Sequence, residues 1–530
     1  MDPFASRIPT FVRALHGLRA FASFCLRLLR RVLRPLRWIA LAGIVAFIAA
    51  FFLYNWIAGS HWESYRKDAA ARGIALDLSR PHAAPIPDTE NFTAPGSPFA
   101  PPNPASPKDS LDFAGLPMHW PNFLKGTRMT TAQAYAQEAA PSRRLRQASN
   151  PSPAPDLNGR KAAEDFLALC ESRFGAQWPT ILEAEARQKA QVPPVDSALP
   201  EPRYFSALMA RKTFQLHAMR SMAFFDLGRD DEAFNEVQGC LNLIRGIHSV
   251  DRTSLVAYMI GTAISLGSAG PIWEGLVDRH WNESQLATLE RELVEIQPMT
   301  RWTMAMDGER QWGNAVYDEL AAASFAKREK DFQEILGNKS GGVTWMMAVV
   351  TCSTGFLRDN QCFANAAWDN ARQLISADGQ WHPEMASAPG SFAAPLSREQ
   401  MIRHALAYIS VPSVQRAACR VMVTEASIRQ ARLALALERY RRRHQDLPET
   451  LEALVPEFID ALPTDPINNA PMQYARESSE SFKLRCPDKG PYGNMEIGDV
   501  VDTVKVDGKS DLIWYGLAPE TNQVIKTAAR

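Results

Sequence analysis

From Trp38 to Ala58 the chain runs for 21 residues, WIALAGIVAFIAAFFLYNWIA, without a single charged side chain. A helix of that length reaches about 30 Å, the thickness of a bilayer hydrocarbon core. A core helix of a soluble protein normally keeps a polar face. Here only Asn55, near the end of the run, is strongly polar. Trp38 stands at one edge and Tyr54, Trp56 and Trp62 at the other, where amphipathic rings favour the headgroup zone. The run predicts one membrane span, Trp38–Ala58, and with it the lipid bilayer as a partner.

Charge sets the orientation. Residues 1–37 carry eight Arg, no Lys and one acid, a net +7. The whole chain balances 58 basic against 58 acidic residues, so the remainder carries −7. Basic flanks stay on the cytoplasmic side. The expectation is a single-pass protein of the inner (cytoplasmic) membrane, with a cytoplasmic segment 1–37 and the bulk of the chain outside the cytoplasm. A cleaved secretory signal would have an apolar region of about 7–15 residues, shorter than this one. A twin-Arg export signal at Arg30-Arg31 and an Arg-rich mitochondrial transit peptide remain as alternatives. The overall balance gives no reason to expect a nucleic-acid partner.

Fifteen of the 37 Pro fall within residues 81–157, most densely in PGSPFAPPNPASP from Pro95. Such a stretch cannot form a helix or a central strand, and 59–156 reads as an extended tether. Phe113, Leu116, Trp120 and Phe123 are its candidates for docking on the body. Residues 157–424 then show helical periodicity. Leu286, Leu289, Leu293 and Ile296 form one stripe behind a cap at Asn282 or Ser284. Ser254–Leu276 is apolar but interrupted by Gly261, Gly267 and Pro271, which favours a buried helix over a second span. After His444 short alternating runs around Tyr474 and Phe482-Lys483-Leu484 read as strands. The fold class is mainly α, with a span, a tether, a helical body and a small α+β C-terminal domain at 425–518, followed by a tail at 519–530.

Three resemblances refine this outline. The segment FFDLGRDDEAF, with Gly228 as a turn residue and Ala233 at a close helix contact, is similar to the turn and second helix of a tetratricopeptide repeat. It covers one hairpin. The order ALERYRRRHQDLPETLEALVPEFIDALPTDPINNAPMQY, then short strands, resembles the globular head of type II secretion major pseudopilins. In that family an LPxDPxxN turn, here Leu462 to Asn469, precedes a small antiparallel sheet. The family's membrane helix opens its chain behind a processing motif, whereas the matching helix here is interior, so pilus assembly is not implied. From residue 200 onward the chain also looks like uncharacterised membrane-anchored helical proteins of bacteria, which share the IWEGL stretch (Ile272–Leu276), a QLxxLExEL helix and the GERQW stretch (Gly308–Trp312). That likeness implies architecture and no chemistry.

Motifs for chemistry are few. The chain contains no HExxH, GxSxG, CxxC or GxGxxG, and no cofactor is expected. The pseudopilin resemblance implies a calcium site in a late acidic loop, for which Asp507 and Asp511 are the positional candidates. Calcium takes six to eight oxygens, and two Asp flanking Lys509 supply few of them, so a solvated turn is preferred. His382-Pro383-Glu384 is an isolated cluster. Glu309 and Arg310, with Asp307, Asp318 and Glu319 on the same helix, are the nearest approach to a polar site, to be weighed against a helix–helix ion pair. Cys352 and Cys362 are the nearest cysteines in sequence and a possible disulfide. The preferred reading is an extracytoplasmic scaffold or protein-binding module with no identifiable catalytic site. The alternatives are an extracytoplasmic hydrolase using Glu309, or a secretion or envelope assembly component.

Overall fold

The computed structural model describes residues 8–77, 86–101, 111, 113, 116, 123–138, 159–191, 205–250, 254–336, 341–387, 397–410, 414–488, 497–499, 501 and 510–517. The chain is mainly helical. Its helices are α1 (Ile8–Ala71), α2 (Thr131–Glu138), α3 (Gly159–Phe174), α4 (Trp178–Glu185), α5 (Phe205–Leu227), α6 (Asp230–His248), α7 (Leu255–Val277), α8 (Glu283–Val294), α9 (Trp302–Ala322), α10 (Phe325–Leu336), α11 (Gly341–Val350), α12 (Thr354–Arg372), α13 (Arg398–Arg403), α14 (Ala405–Ser410) and α15 (Val414–His444). The strands are β1 (Thr464–Asp465), β2 (Ala470–Pro471), β3 (Gln473–Arg476), β4 (Phe482–Cys486) and β5 (Leu512–Tyr515). Strands β1 and β2 form an antiparallel pair, and β3-β4-β5 an antiparallel meander.

Helix α1 contains the apolar run and is long and apolar enough to cross a membrane. The most apolar stretch of its described part has no buried residue. It does not end where the run ends. Residues 59–71 offer no Pro, and the helix continues to Ala71 before Gly73, at φ 71°, turns the chain out.

Helices α5 and α6 form an antiparallel hairpin. Gly228 sits at φ 70°, where a side chain would be strained. The turn is closed by Arg229 N–H donating to the Phe224 carbonyl and Gly228 N–H to that of Phe225, the paired bonds of a Schellman end. Asp230, Asp231 and Glu232 open α6, where the positive helix end favours them. Asn282 and Gln285 make a reciprocal capping box at the start of α8. Helix α7 is buried along most of its length and runs unbroken through Pro271. The predicted interruption there is absent. The Ser265 and Ser268 hydroxyls bond back to the Gly261 and Ser265 carbonyls within the same stretch.

Two departures from the sequence reading concern organisation. First, much of the described part of 86–138 is packed rather than extended and solvated. Phe92 stacks on Phe99 with ring centroids 4.3 Å apart, and Phe92 N–H donates to the Lys189 carbonyl. Phe113 meets Phe174 at 5.3 Å and Phe123 meets Trp514 at 5.6 Å. Dense proline disfavours helix but not burial, and the interleaved aromatics supply the apolar area that docks the segment. Trp120 lies outside the described residues. Second, the 424/425 boundary falls inside α15, which is buried on both sides of that point. One core runs from Phe92 to Trp514. Trp273 of the IWEGL stretch donates to the Tyr515 carbonyl at 2.8 Å, joining body to sheet. Gln430 of α15 donates to the Leu512 carbonyl of β5 at 3.1 Å.

The LPTDPINN stretch holds β1 and the turn that leads into β2. The Asp465 carboxylate accepts from Ile467 N–H at 2.8 Å and from Asn468 Nδ2 at 2.6 Å. Asn469 takes the left-handed conformation, at φ 48°, that Asn tolerates.

Candidate functional site

Two groupings of described charged residues bear on function, one enclosed network and one junction. The enclosed network lies between α4, α5 and α6. His217 is wholly buried, with Nδ1 2.7 Å from Glu236 Oε2 and Nε2 2.9 Å from Glu185 Oε1. Arg220 Nε donates to the other Glu236 oxygen at 2.8 Å and stacks over Trp178. Both ring nitrogens face carboxylates, so the imidazole is doubly protonated and donates twice. Burial alone would favour the neutral ring, but Glu185 and Glu236 outweigh it and raise the His217 pKa to about 10. The two cations and two carboxylates balance. Gly239 packs on the ring, since a Cβ there would lie 2.5 Å from His217 Cε1. Among the described residues the cluster is enclosed, and it ties three helices together. Because the folded pKa is raised, its stabilisation is full below about pH 6.5 and is lost as pH rises towards 10. Unfolding midpoints of the full chain in detergent are expected to fall steadily between pH 7 and 10; a flat profile would contradict the assignment.

The junction is where α1 leaves the apolar run and lies parallel to α12. Tyr54, Ala58, Trp62, Tyr65, Ala69 and Arg72 recur at three- or four-residue steps and face α12. Asn55 Oδ1 accepts from Gly355 N–H at 2.6 Å and from the Thr354 hydroxyl at 2.9 Å. A Cβ on Gly355 would come within 2.7 Å of Asn55 Cα. Tyr54 OH reaches Asp359 at 3.4 Å, and Tyr65 OH donates to Asp369 at 3.0 Å. Trp62, predicted for the headgroup belt, is instead 5% exposed with Arg358 over its ring. Trp56 remains exposed.

Each aspartate of α12 is a hub. Asp359 is held by Arg403, with Nη2 at 3.0 Å, and by His404 at 3.6 Å. Burial would raise its pKa, but hydrogen bonds from His404 and Arg403 prevail and hold it at about 2. The depressed pKa contributes about 2 kcal/mol above the ordinary value of 3.8, lost as pH falls towards 2. Acid titration of the full chain should loosen the junction in that window, and Asp359→Asn should flatten the profile there. Asp369 accepts from Tyr65 and from Arg72 at 3.3 Å, and lies 2.9 Å from Nη1 of the wholly buried Arg310. Burial, with Asp369 adding to it, raises the Tyr65 pKa to about 12.

Beyond Asp369 an open cleft of about 450 Å³ is lined by Arg72, Asp369, Arg372, Ser376, His382 and Glu384, among others. His382 Nδ1 is 3.2 Å from Glu384 Oε1, both partly open to solvent. Ser376 does not complete a relay with them, because its hydroxyl donates to Asp378. Gln380 N–H donates to the same oxygen at 3.1 Å.

The residues singled out from sequence are dispersed. Glu309 is buried and accepts from Leu255 N–H at 2.8 Å at the start of α7. Arg310 serves Asp369. Asp307 pairs with Arg372, Asp318 with Arg358 and Glu319 with Lys327. The α9 charges are therefore helix–helix ligatures and not one pocket. Asp507 lies outside the described residues. Asp511 is buried, pairs with Arg485 and accepts from Asp488 N–H at 2.8 Å. No cluster able to hold a metal occurs among the described residues. The Cys352–Cys362 bridge is not made: both thiols are free, and Cys352 Sγ accepts from Arg328 at 3.1 Å. The junction itself escaped the sequence reading. Its signal was the Tyr54 to Arg72 stripe, which was divided between span and tether.

No protein-family model matches the chain, and no curated protein or solved structure matches it either.

Proposed function

We propose that the chain is a single-pass protein of the cytoplasmic membrane whose helical body stands outside the cytoplasm as a scaffold for a protein partner. One observation carries this reading: the apolar helix continues to Ala71 and is clamped along α12, which mounts the body at a fixed height and angle to the bilayer. A rigid mount suits a protein that presents a surface. The +7 segment before the span supports the orientation. The pairing of the α9 charges supports binding over hydrolysis. The tetratricopeptide-like hairpin and the pseudopilin-like tail belong to this proposal as likenesses of architecture.

Protease added to spheroplasts should digest the body and spare the N-terminal segment. Protection of the body until the cytoplasm is opened would reverse the topology. Affinity capture of the full chain from detergent extracts should return the same protein with wild type and with Glu309→Gln. Loss of function in a folded Glu309→Gln protein would favour the hydrolase instead.

A further inference from the structure

Helix α11 is apolar on every side. Its sequence, GGVTWMMAVV, has no charged residue. Thr344, Met347 and Ala348 face inward, where Met347 and Ala348 join a small second core with Phe332 of α10 and Leu357 of α12. Its other face is open: Val343 is 50% exposed, Trp345 55% and Met346 51%, continued by Val349 and Val350. A helix apolar all round normally lies in a protein core or in a membrane.

Its position favours the membrane. Three residues after α11 ends, Ser353, Thr354 and Gly355 are bonded to Asn55 of α1. Asn55 lies three residues before the end of the apolar run, about 4–5 Å along the helix axis. The end of α11 is thus level with the bilayer surface. Helices α13 and α14 meet the same end of α12, through Arg403 to Asp359 and Ala407 N–H to Asn360. They carry two further exposed apolar side chains, Ile402 at 76% and Tyr408 at 53%. Trp345 and Tyr408 are the ring types that favour the headgroup zone.

We propose that the open face of α11, with Ile402 and Tyr408, is a second, non-spanning membrane contact that seats the base of the body in the outer surface of the bilayer crossed by α1. This rests on the anchor reading above. The occupant is lipid acyl chain and headgroup, because the residues that follow α11 directly are bonded to Asn55, inside the apolar run of α1. The seat would fix the body's rotation about the α1 axis, which one span alone leaves free.

The test uses the full chain in nanodiscs of phosphatidylethanolamine and phosphatidylglycerol. Cys25, Cys352 and Cys362 are changed to Ser, and a nitroxide is placed by M346C or, separately, by F47C. At position 346, collisions with oxygen are expected to exceed those with a water-soluble nickel chelate, as at position 47. If 346 is open to nickel while 47 stays in lipid, the seat is overturned and the anchor stands. If 346 is sheltered from both reagents, a protein covers the face and the seat is equally overturned. If 47 is itself open to nickel, anchor and seat fall together. A label-free measurement guards against misfolding of the labelled chain. Brominated lipid should quench wild-type tryptophan fluorescence more than that of Trp345→Phe, and equal quenching would contradict the seat.

Discussion

Replacing His217 by Ala is expected to cost about 3–5 kcal/mol, because it strands buried carboxylates without their cation. Glu185 would lose the Nε2 donor at 2.9 Å, and Glu236 would keep only Arg220. The helices that supply these groups would lose their shared tie, and the cavity left by the ring would add to the penalty. A urea midpoint for the full chain in detergent should fall sharply. His217→Gln, which keeps one donor, should fall less. If His217→Ala unfolds at the wild-type midpoint, the buried ion network is misassigned.

The second large effect concerns the junction of α1 with α12. Asp369→Ala removes the ion-pair partner that Arg310, a wholly buried guanidinium that cannot shed its proton, has among the described residues. Breaking such a pair costs about 3–5 kcal/mol. The same change frees Tyr65 and Arg72 from α12. The expected result is a body that loosens at its junction with α1 while the hairpin of α5 and α6 keeps its fold. Limited proteolysis should therefore cut first between Ala71 and the α3 region, with the α5–α6 pair surviving longest. Asp369→Asn should be milder, since the amide oxygen still accepts from Tyr65. Gly355→Leu should open the opposite end of the junction, because its side chain has no room beside Asn55. Uniform unfolding of the whole chain by Asp369→Ala would argue against a local junction.

Much of this fold was legible in the sequence where the governing physics is local. The apolar run is a matter of length and composition. The α5–α6 hairpin follows from Gly228 and the acidic opening of α6, and α8 follows from Asn282 with Gln285. The GERQW and IWEGL stretches stood out as patterns, but their meaning is tertiary. Arg310 matters because Asp369 lies 59 positions away, and Gly275 because a Cβ there would strike Trp281 at 2.1 Å. The His217 network was invisible for the same reason: its carboxylates come from α4 and α6 and share no sequence spacing with it. Around Phe92 and Phe99, Pro content proved no measure of exposure. The junction was missed because a composition boundary at Gly59 was taken as a structural one. The helical stripe from Tyr54 to Arg72 crosses that boundary without a break.

The central claim is that the apolar helix α1 and the body are one rigid piece. A pulsed spin-label distance between H61C on α1 and A366C on α12, both exposed, measures this directly in nanodiscs with Cys25, Cys352 and Cys362 changed to Ser. A single narrow distance peak, broadened by Asp369→Ala, is the predicted result. A broad distribution in the wild-type chain, unchanged by Asp369→Ala, would mean that the body hangs free of α1.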